Sequence, residues 1–349
     1  MSGGIAQLVA VGAQDAHLVG QPEVSFFRST YKRATNFSQS CERQVIQGNI
    51  QNDGMSSIRF ERKGDMLSYV YLAPIHTNGT QAATVTDWES KISKVELFIG
   101  GQLIDEQDST FSTMIAPELL ATSSSKSVGG GIYRGGAGEQ FYPLRFQFCE
   151  NWQSALPLIA MQYHDVELRI HWGASAASNK WEAYANYIFL DTDERSVMSS
   201  KPMSMLITQT QKVIASQAKI QELSFNHPVK FLVSNCSANG MMTATNQTKL
   251  QINGTDCSDY KFTMPNYSAV SSYYHVPNSS GDKKTSLFIY PFCLETSKLQ
   301  PTGSLNFSRL DSARIVNSGS SSLDAIYAVN YNIIPVSYTH LPLPTLLLV

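Results

Sequence analysis

Residues 148–172, FCENWQSALPLIAMQYHDVELRIHW, hold one Cys, two Glu, one Asp and two His. A Cys beside a cationic group is the nucleophile of thiol hydrolases, and Cys, His and carboxylate groups are ligands of zinc. The segment either carries out such chemistry or forms one wall of a β-structure. The spacing of its polar residues distinguishes the two possibilities.

The run HDVELRIHW (164–172) has the two-residue period of a β-strand, whose side chains point alternately to opposite faces. One face is mainly apolar and holds His164, Val166, Leu168, Ile170 and Trp172. The other face is charged and holds Asp165, Glu167, Arg169 and His171. Because the two His face opposite sides, one metal ion cannot bind both. The charged row is typical of a surface that faces solvent or another subunit.

The other candidate groups fit no catalytic or metal-binding pattern. Cys149 follows the aromatic run FQF, without a predicted helix N-terminus or a cation beside it, so we predict a packing role. The acidic run FLDTDER (189–195) lacks the Gly and the spacing of a Ca²⁺ loop and is interpreted as a turn at a strand end. The five Cys are scattered and form no C-x-x-C pair. We therefore predict no catalytic residue, no metal site and no cofactor.

Composition indicates a folded protein with two domains. The chain has 349 residues, of which 42% are hydrophobic and 15% are charged. The net charge is -2 and no dense run of Lys or Arg occurs, which argues against direct binding of nucleic acid. The N-terminus lacks the basic and apolar regions of a signal peptide, and no run of 18 apolar residues is present. We expect synthesis inside the cell and a soluble product.

Short apolar runs interrupted by Gly, Pro, Asn and Ser predict an all-β sandwich or barrel. Turn signals at Gly64-Asp65 and Gly100-Gly101 predict two hairpins. The run TMIAPELLATS (113–123) predicts a short helix, because Pro117 suits a first helical turn. The remaining predicted strands are YPLRFQF (142–148), HDVELRIHW (164–172), YANYIFLDT (184–192), KIQELSFN (219–226), KFLVSN (230–235), TKLQING (248–254), SLFIYPF (286–292), SLNFSRL (304–310) and AIYAVNYNI (325–333).

The two halves of the chain share a weak repeat. YPLRFQFCENWQSALP and YPFCLETSKLQP each contain Tyr-Pro, then a Cys, then a Pro eight residues after that Cys. Each is followed by a strand-like run, HDVELRI in the first half and SLNFSRLDSARI in the second. KVELFIGGQLID likewise matches TKLQINGTDCSD. The shared order predicts one β-domain built twice. A doubled scaffold without a doubled catalytic cluster indicates a structural role.

Several longer stretches resemble one protein family in its own order. They are GGIAQLVAVGAQDAHLVGQPEVSFFRSTYKRATNFS, VELFIGGQLID, FYPLRFQFCENWQSALPLIAMQYHDVEL, YIFLDTDER, LSFNHPVKFL, QPTGSLNFSRLD and AIYAVNYN. On these residues the chain resembles the major capsid proteins of nucleocytoplasmic large DNA viruses, the double jelly-roll family. The resemblance covers the chain from residue 3 to about residue 332.

The resemblance implies two consecutive eight-stranded antiparallel jelly rolls, with short helices in the loops and no enzymatic activity. It implies an N-terminal arm over 1–24 on the inner side of the capsomer, a first roll over 25–200 and a second over 201–333. Three copies would form a nearly hexagonal capsomer that tiles an icosahedral shell, assembled in the host cytoplasm. Minor capsid proteins and an inner membrane would be the partners on the base side.

Two parts of the sequence are treated separately from this resemblance. Residues 334–349 lack the ending usual in the family, and VSYTHLPLPT is similar to translated sequencing-adaptor read-through, so we interpret this tail as a sequence artefact. Eight N-x-S/T sequons occur, and most are interpreted as ordinary polar loops. Because some family members carry glycans, six are kept as candidate glycosylation sites: Asn78, Asn235, Asn246, Asn253, Asn266 and Asn278.

Two alternative functions fit a β-sandwich. A metal-dependent cupin would need two or three His and a Glu pointing into one barrel, which the alternation of His164 and His171 disfavours. A carbohydrate-binding jelly roll would need an exposed aromatic platform, for which SYYHVP (272–277) is the candidate.

Overall fold

The computed structural model describes residues 12–128, 139–161, 163–200, 203–216, 218–235, 242–278, 287–319 and 325–336. By its contacts the chain divides into a short unit that ends at Asn36 and a large unit that begins at Phe37. The described part of the short unit contains one helix, α1 (Asp15–Val19), followed by extended chain. Several of its large apolar side chains are exposed, among them Leu18, Phe26, Phe27 and Tyr31.

The described residues of the first half of the large unit form eight strands. They are β1 (Phe37–Gln44), β2 (Met55–Arg59), β3 (Met66–Ile75), β4 (Ile92–Ile99), β5 (Gln102–Asp108), β6 (Tyr142–Pro143), β7 (Val166–Trp172) and β8 (Lys180–Leu190). The helical segments are a π-helix (Phe111–Ile115), α2 (Ala116–Leu119), α3 (Gln147–Glu150), α4 (Thr192–Ser200) and 3-10 turns at Lys126–Val128, Trp152–Ser154 and Ala176–Ser178. Sheet I has the strand order β1-β8-β3-β6, and sheet II has the order β2-β7-β4-β5.

The second half repeats this arrangement, with ten strands in the part of it that the structure describes. They are β9 (Met203–Ile214), β10 (Ile220–Glu222), β11 (Pro228–Asn235), β12 (Gln247–Ile252), β13 (Thr255–Asp256), β14 (Lys261–Phe262), β15 (Leu287–Pro291), β16 (Leu305–Asn306), β17 (Ala313–Asn317) and β18 (Ala325–Val336). Its helical segments are α5 (Thr263–Pro265), a π-helix (Asn266–Val270), α6 (Ser271–His275) and a 3-10 turn at Phe307–Arg309. Sheet III is β9-β18-β11-β15, and sheet IV is β10-β17-β12-β13.

Both halves have the same strand connectivity. In each half the first, eighth, third and sixth strand positions form one sheet, and the second, seventh, fourth and fifth positions form the other. In the second half β13 and β14 together occupy the fifth position, and β16 adds a short pair to β11. The strand pairs of the four sheets are antiparallel, as in sheet I, where Phe37 pairs with Leu190. This wiring is that of a jelly roll, so the predicted double jelly roll is confirmed.

Each roll encloses its own apolar core between its two sheets. The inward side chains of sheets I and II include Leu72, Leu168, Trp172 and Tyr187, all 1% exposed or less. The Trp172 and Trp181 rings pack with centroids 5.0 Å apart. The core of the second roll is smaller and consists of Leu223, Phe225, Val229, Leu232, Leu250, Tyr267, Phe288, Phe307, Ala313, Ile315, Ile326 and Ala328. The strands of the first roll lie before residue 200 and those of the second roll after it. The exact domain limits proposed from the sequence stay a prediction.

The weak sequence repeat corresponds to equivalent strands. Tyr142-Pro143 forms β6 and Tyr290-Pro291 ends β15, which are the sixth positions of the two rolls. KVELFIGGQLID covers β4 and β5, while TKLQINGTDCSD covers β12 and β13. Both turns have two consecutive positive φ angles, at Gly100-Gly101 and at Asn253-Gly254. Such turns match the twist of a hairpin, which explains why Gly and Asn recur there.

Several local predictions differ from the structure. The predicted strand KIQELSFN shortens to β10, and SLNFSRL shortens to β16 and continues as the 3-10 turn Phe307–Arg309. The strands on either side of Gly64-Asp65 do not form a hairpin, because β2 pairs with β7 in sheet II while β3 pairs with β8 in sheet I. Of the predicted strand YPLRFQF, only Tyr142–Pro143 is a strand, β6, and its last two residues begin α3. The acidic run after β8 begins α4 rather than a turn, since Asp193 and Glu194 suit the positive end of a helix. The predicted helix over 113–123 is confirmed as the π-helix and α2, and the hairpin at Gly100-Gly101 is confirmed as β4 and β5.

Strand β18 extends through Val336, which pairs with Met203. The first residues of the predicted tail, 334–336, therefore belong to sheet III, and Ile334 is 8% exposed. Residues 337–349 lie outside the described residues, and their origin stays a prediction. Among the described residues no helix is long and apolar enough to span a bilayer.

Replacing Leu168 or Ile170 by Asp should prevent folding, because each side chain is 0% exposed and a buried unpaired carboxylate costs about 3–5 kcal/mol. Glu167→Gln should fold normally, because that half-buried side chain only pairs with Arg169 on the outer face of the sheet. Soluble yield and circular dichroism of the three variants provide the measurement. A folded Leu168→Asp with an unfolded Glu167→Gln would mean that the strand is assigned inside out.

Candidate functional site

The alternation predicted for β7 is confirmed. Val166, Leu168, Ile170 and Trp172 are buried, while Glu167, Arg169 and His171 are half-buried on the opposite face. The strand begins at Val166, so His164 lies in the preceding turn rather than on the apolar face. There the His164 ring packs against Gly100, where a Cβ atom would lie 2.6 Å from Nδ1. The two His are therefore not brought together.

The outward residues of β7 form ion pairs with one another and with β4 instead of a catalytic cluster. Arg169 Nε lies 3.0 Å from Glu167 Oε1, and its guanidinium lies 4.0 Å from the centre of the Phe98 ring. His171 Nε2 lies 3.2 Å from Glu96 Oε2, and Lys94 Nζ lies 2.6 Å from the other oxygen of Glu96. Burial raises the pKa of Glu96, but the hydrogen bonds from Lys94 and His171 outweigh it and hold this pKa below its usual value.

Cys149 packs in the protein interior. It lies buried in α3, and its Sγ is 3.9 Å from the carbonyl oxygen of Ser68. Burial raises the pKa of this thiol well above its usual value, so the reactive thiolate does not form near neutral pH. The neighbouring Glu150 and Arg145 are nearly buried and pair with each other at 3.1 Å. This arrangement stabilises the loop and offers no nucleophile.

A polar cleft of about 740 Å³ lies between the two rolls. It is lined by carboxylates and lysines, including Asp105, Asp108, Lys94 and Lys212, and by the imidazole of His227. Within the described ranges no group of three or more His, Cys, Asp or Glu side chains is placed to hold a metal ion. The cleft does not have the converging imidazoles that a cupin-type site requires.

The cleft follows the seam, which we define as the contact of residues 104–119 of the first roll with sheet III of the second. Asp108, at the end of β5, is its main polar connection. One carboxylate oxygen accepts hydrogen bonds from Lys212 Nζ and Tyr327 Oη, each at 2.7 Å. The other oxygen accepts from the backbone N–H of Phe111 at 2.8 Å and so caps the helical segment that follows.

Asp105 forms a second polar connection across the seam. Its carboxylate accepts hydrogen bonds from Thr210 N at 2.8 Å, Gln107 Nε2 at 2.9 Å and Glu106 N at 3.0 Å. Burial, opposed by these hydrogen bonds, raises the pKa of Asp105 to about 7. Gln209 also donates from its side chain to the carbonyl of Ile104. These bonds position β9 against β5.

The apolar part of the seam consists of a helix face against the outer face of sheet III. Phe111, Ile115, Ala116 and Leu119 are all 0% exposed and project from the π-helix and α2. They pack on the side chains of three strands: Phe231, Val233, Leu287, Ile289, Ala325, Tyr327 and Val329. Burial of each large apolar side chain contributes about 1.5–3 kcal/mol. The seam therefore connects the two rolls through a continuous apolar contact.

The sequence predictions did not include the residues of the seam. A signal was present, because β11, β15 and β18 contain uninterrupted apolar runs, FLV, LFI and AIYAV, rather than alternating ones. Continuous apolar strands indicate burial on both faces of a sheet. The acidic side chains of Asp105 and Asp108 had no comparable signal, because their partners lie about a hundred residues or more away in the sequence.

The six candidate sequons occupy different environments. Asn78 and Asn253 lie exposed in turns. Asn235 and Asn278 are half-buried and donate to Met114 Sδ and to the carbonyl of Ala121. Asn266 donates to the carbonyl of Phe262 at 2.8 Å, and Asn246 is buried with its amide on Thr263.

Comparison with known proteins agrees with this geometry. The sequence profile of "Major capsid protein N-terminus" matches residues 25–191. The major capsid protein of Pyramimonas orientalis virus is 33% identical over 96% of this chain and 97% of its own length. That of Paramecium bursaria Chlorella virus 1 is 30% identical over 90% of this chain and 87% of its own. The chain belongs to the major capsid protein family of the nucleocytoplasmic large DNA viruses.

Solved structures of capsid proteins share the fold. The PBCV-1 VP54 crystal structure, fitted into a reconstruction of the virophage Sputnik, has a TM-score of 0.73 at 23% identity and covers 89% of this chain and 97% of its own. The Faustovirus major capsid protein has a TM-score of 0.61 at 10% identity, covering 94% of each chain. As a major capsid protein, the chain is a structural component of the virion that self-associates into a capsid, and its homologues are not enzymes.

Asp108→Ala should lower the free energy of unfolding by about 2–4 kcal/mol, because it leaves Lys212, Tyr327 and the Phe111 N–H without their shared acceptor. Tyr327→Phe removes only one of these three bonds and should cost about 1 kcal/mol. Chemical denaturation of both variants gives the comparison. Equal losses for the two would contradict the role of Asp108 as the common acceptor.

Asp105 should make stability depend on pH in a defined direction. Between about pH 4, where an Asp of the unfolded chain titrates, and about pH 7, where native Asp105 does, the native state binds more protons. Its contribution to the free energy of unfolding therefore falls as the pH rises through this window. Asp105→Asn removes that slope, so the variant should gain stability relative to the parent protein from pH 4 to pH 7. A constant difference in melting temperature across this range would contradict the prediction.

Proposed function

We propose that three copies of this chain form a homotrimer of nearly hexagonal outline, the building block of an icosahedral shell. The proposal is carried by one observation: the two jelly rolls have the same strand connectivity and pack on each other through the seam. Two equivalent rolls per copy give six similar modules around a threefold axis. Such a block presents nearly the same edge in six directions, so one kind of contact can extend a flat lattice.

The paired sheets suit a protein that is packed at high concentration. Paired sheets of a jelly roll leave few free strand edges, and free edges are the usual sites of unwanted association. The ion pairs on the outer face of sheet II, such as Arg59 with Asp165, keep that surface polar. A shell protein needs this combination, because it must contact its neighbours only through defined surfaces.

The N-terminal arm and the site of assembly belong to the same proposal. The arm, predicted over residues 1–24, would lie on the base side of the capsomer, facing the interior of the virion. There it would contact minor capsid proteins and an inner membrane. The exposed apolar residues of the described arm and the segment after it, such as Leu18, Phe26 and Phe27, support a role in binding other components. Assembly would take place in the host cytoplasm.

Glycans, where present, would occupy the exposed sequons. We propose Asn78 and Asn253 ahead of the other four candidates, because both lie exposed in turns. Asn235, Asn246, Asn266 and Asn278 donate hydrogen bonds from Nδ2, the atom that would carry a glycan. Asn78 and Asn253 instead accept hydrogen bonds through Oδ1. Mass spectrometry of peptides from intact virions would identify any modified sequon.

Native mass spectrometry and negative-stain microscopy of the expressed chain test the assembly. The expected result is a species of three times the 38.5 kDa of one chain, with a hexagonal outline in projection. Dimers, or a species that stays monomeric at every concentration examined, would contradict the proposed capsomer.

A further inference from the structure

The second roll carries a counterpart of the seam helix, and the described residues of the same chain leave part of that helix uncovered. In the first roll, the π-helix Phe111–Ile115 and α2 follow the fifth strand position and cover the outer face of sheet III. In the second roll, the π-helix Asn266–Val270 and α6 follow the fifth position as well. Both rolls therefore carry a π-helix that continues into an α-helix at the same point of the jelly roll.

Aligning the two π-helices pairs Ile115 with Val270 and Leu119 with Tyr274. Ile115 and Leu119 are 0% exposed, because they pack on sheet III. Val270 is 41% exposed and Tyr274 is 71% exposed. The helix of the second roll thus presents, at the same four-residue spacing, apolar groups that in the first roll are buried. Tyr273, 73% exposed, packs edge to face on Tyr274 and widens this apolar surface.

The sheet face on which the helix packs is also duplicated. Sheet III receives the first helix on the outer face of its third, sixth and eighth strand positions, where Phe231, Ile289 and Tyr327 are buried. The equivalent strands of sheet I are β3, β6 and β8. The outer face of this sheet is aromatic: Tyr71 stacks on Tyr184 with ring centres 5.2 Å apart, and Phe141 packs on Tyr71 at 5.6 Å.

This outer face of sheet I remains accessible. Tyr69 is 42% exposed and Phe141, next to β6, is 37% exposed, whereas the inward neighbours Val70 and Leu72 are buried in the core. A groove of about 670 Å³ runs along it. Its lining includes Tyr69, Tyr71, Phe141, Pro143 and Leu144, together with polar residues such as Lys126, Gln140 and Glu150. Its size and mainly apolar surface suit a short helix.

We propose that the helical segment 266–275 of one copy docks on the outer face of sheet I of a second copy, as segment 111–119 docks on sheet III within one chain. The inference rests on the proposed capsomer and specifies its contact surfaces. Val270 and Tyr274 enter the groove beside Tyr69, Tyr71 and Phe141.

The contact is head-to-tail, since a helix of one copy meets a sheet of the next. Head-to-tail contacts close into a ring only when their rotations add up to a full turn. With the seam inside each chain and this contact between chains, the same helix-on-sheet arrangement repeats six times around three copies. The proposed ring therefore leaves no helix and no sheet face of this kind uncovered.

A pair of complementary variants tests the proposal. The helix variant carries Val270→Asp and Tyr274→Asp, and the face variant carries Tyr69→Asp and Phe141→Asp. Because these side chains are exposed in one chain, each variant should keep the circular dichroism of the parent protein. Each should lose the trimer in sedimentation velocity at micromolar concentration, since docking would bury unpaired carboxylates. Ile220→Asp, on sheet IV and 50% exposed, is the matched control and should stay trimeric.

Mixing the two variants gives the decisive result. The intact helix of the face variant can dock on the intact face of the helix variant, so the mixture should form a one-to-one dimer that neither variant forms alone. A helix variant that remains trimeric, or a mixture that remains monomeric, overturns the docking while the trimer stands. A parent protein that forms no trimer overturns the proposed function together with this contact. Glycan binding by Tyr273 and Tyr274 with an unaffected trimer would assign the helix to carbohydrate instead.

Discussion

Burial of sheet III on both faces is the constraint on which the rest of the molecule depends. Antiparallel sheets commonly pack one face on a core and leave the other to water. Here Leu232 points into the core of the second roll, while its neighbours Phe231 and Val233 point into the seam. The second roll therefore shares its central sheet with the first. This sharing fixes the relative orientation of the rolls, which a lattice built from them requires.

Charged groups in the seam add direction to an otherwise apolar contact. Apolar burial stabilises many relative placements of a helix on a sheet, because it has little geometric preference. Asp108 reduces these placements, since one carboxylate binds the start of the helical segment and two side chains of sheet III at once. Asp105 does the same for β9 through a backbone N–H. The seam thus combines non-directional burial with a few directional bonds.

The two rolls share their wiring but differ in what covers their outer faces. Sheet III is covered by a helix of its own chain, whereas sheet I presents Tyr69 and Phe141 to solvent and the second helix presents Tyr274. When a module repeats within a chain, the surfaces between modules are buried and the outer surfaces of the first and last modules stay exposed, as in other repeat proteins. The residue types that first suggested chemistry have structural roles instead. Cys149 is buried in the core of the first roll, and the charged row of β7 forms ion pairs.

Sequence alone determined the fold class, the doubling and the absence of a catalytic pattern. Period-two alternation in VELRIHW and paired turn residues at Gly100-Gly101 and Asn253-Gly254 are local properties, so they can be recognised without coordinates. Only the tertiary structure decided which strands pair: β2 and β3 are neighbours in sequence but lie in opposite sheets, because jelly-roll partners are distant in the chain. It also decided the roles of Asp105, Asp108 and the two helices. Their partners are set by packing between the rolls, and no local periodicity in the sequence indicates which residues these partners are.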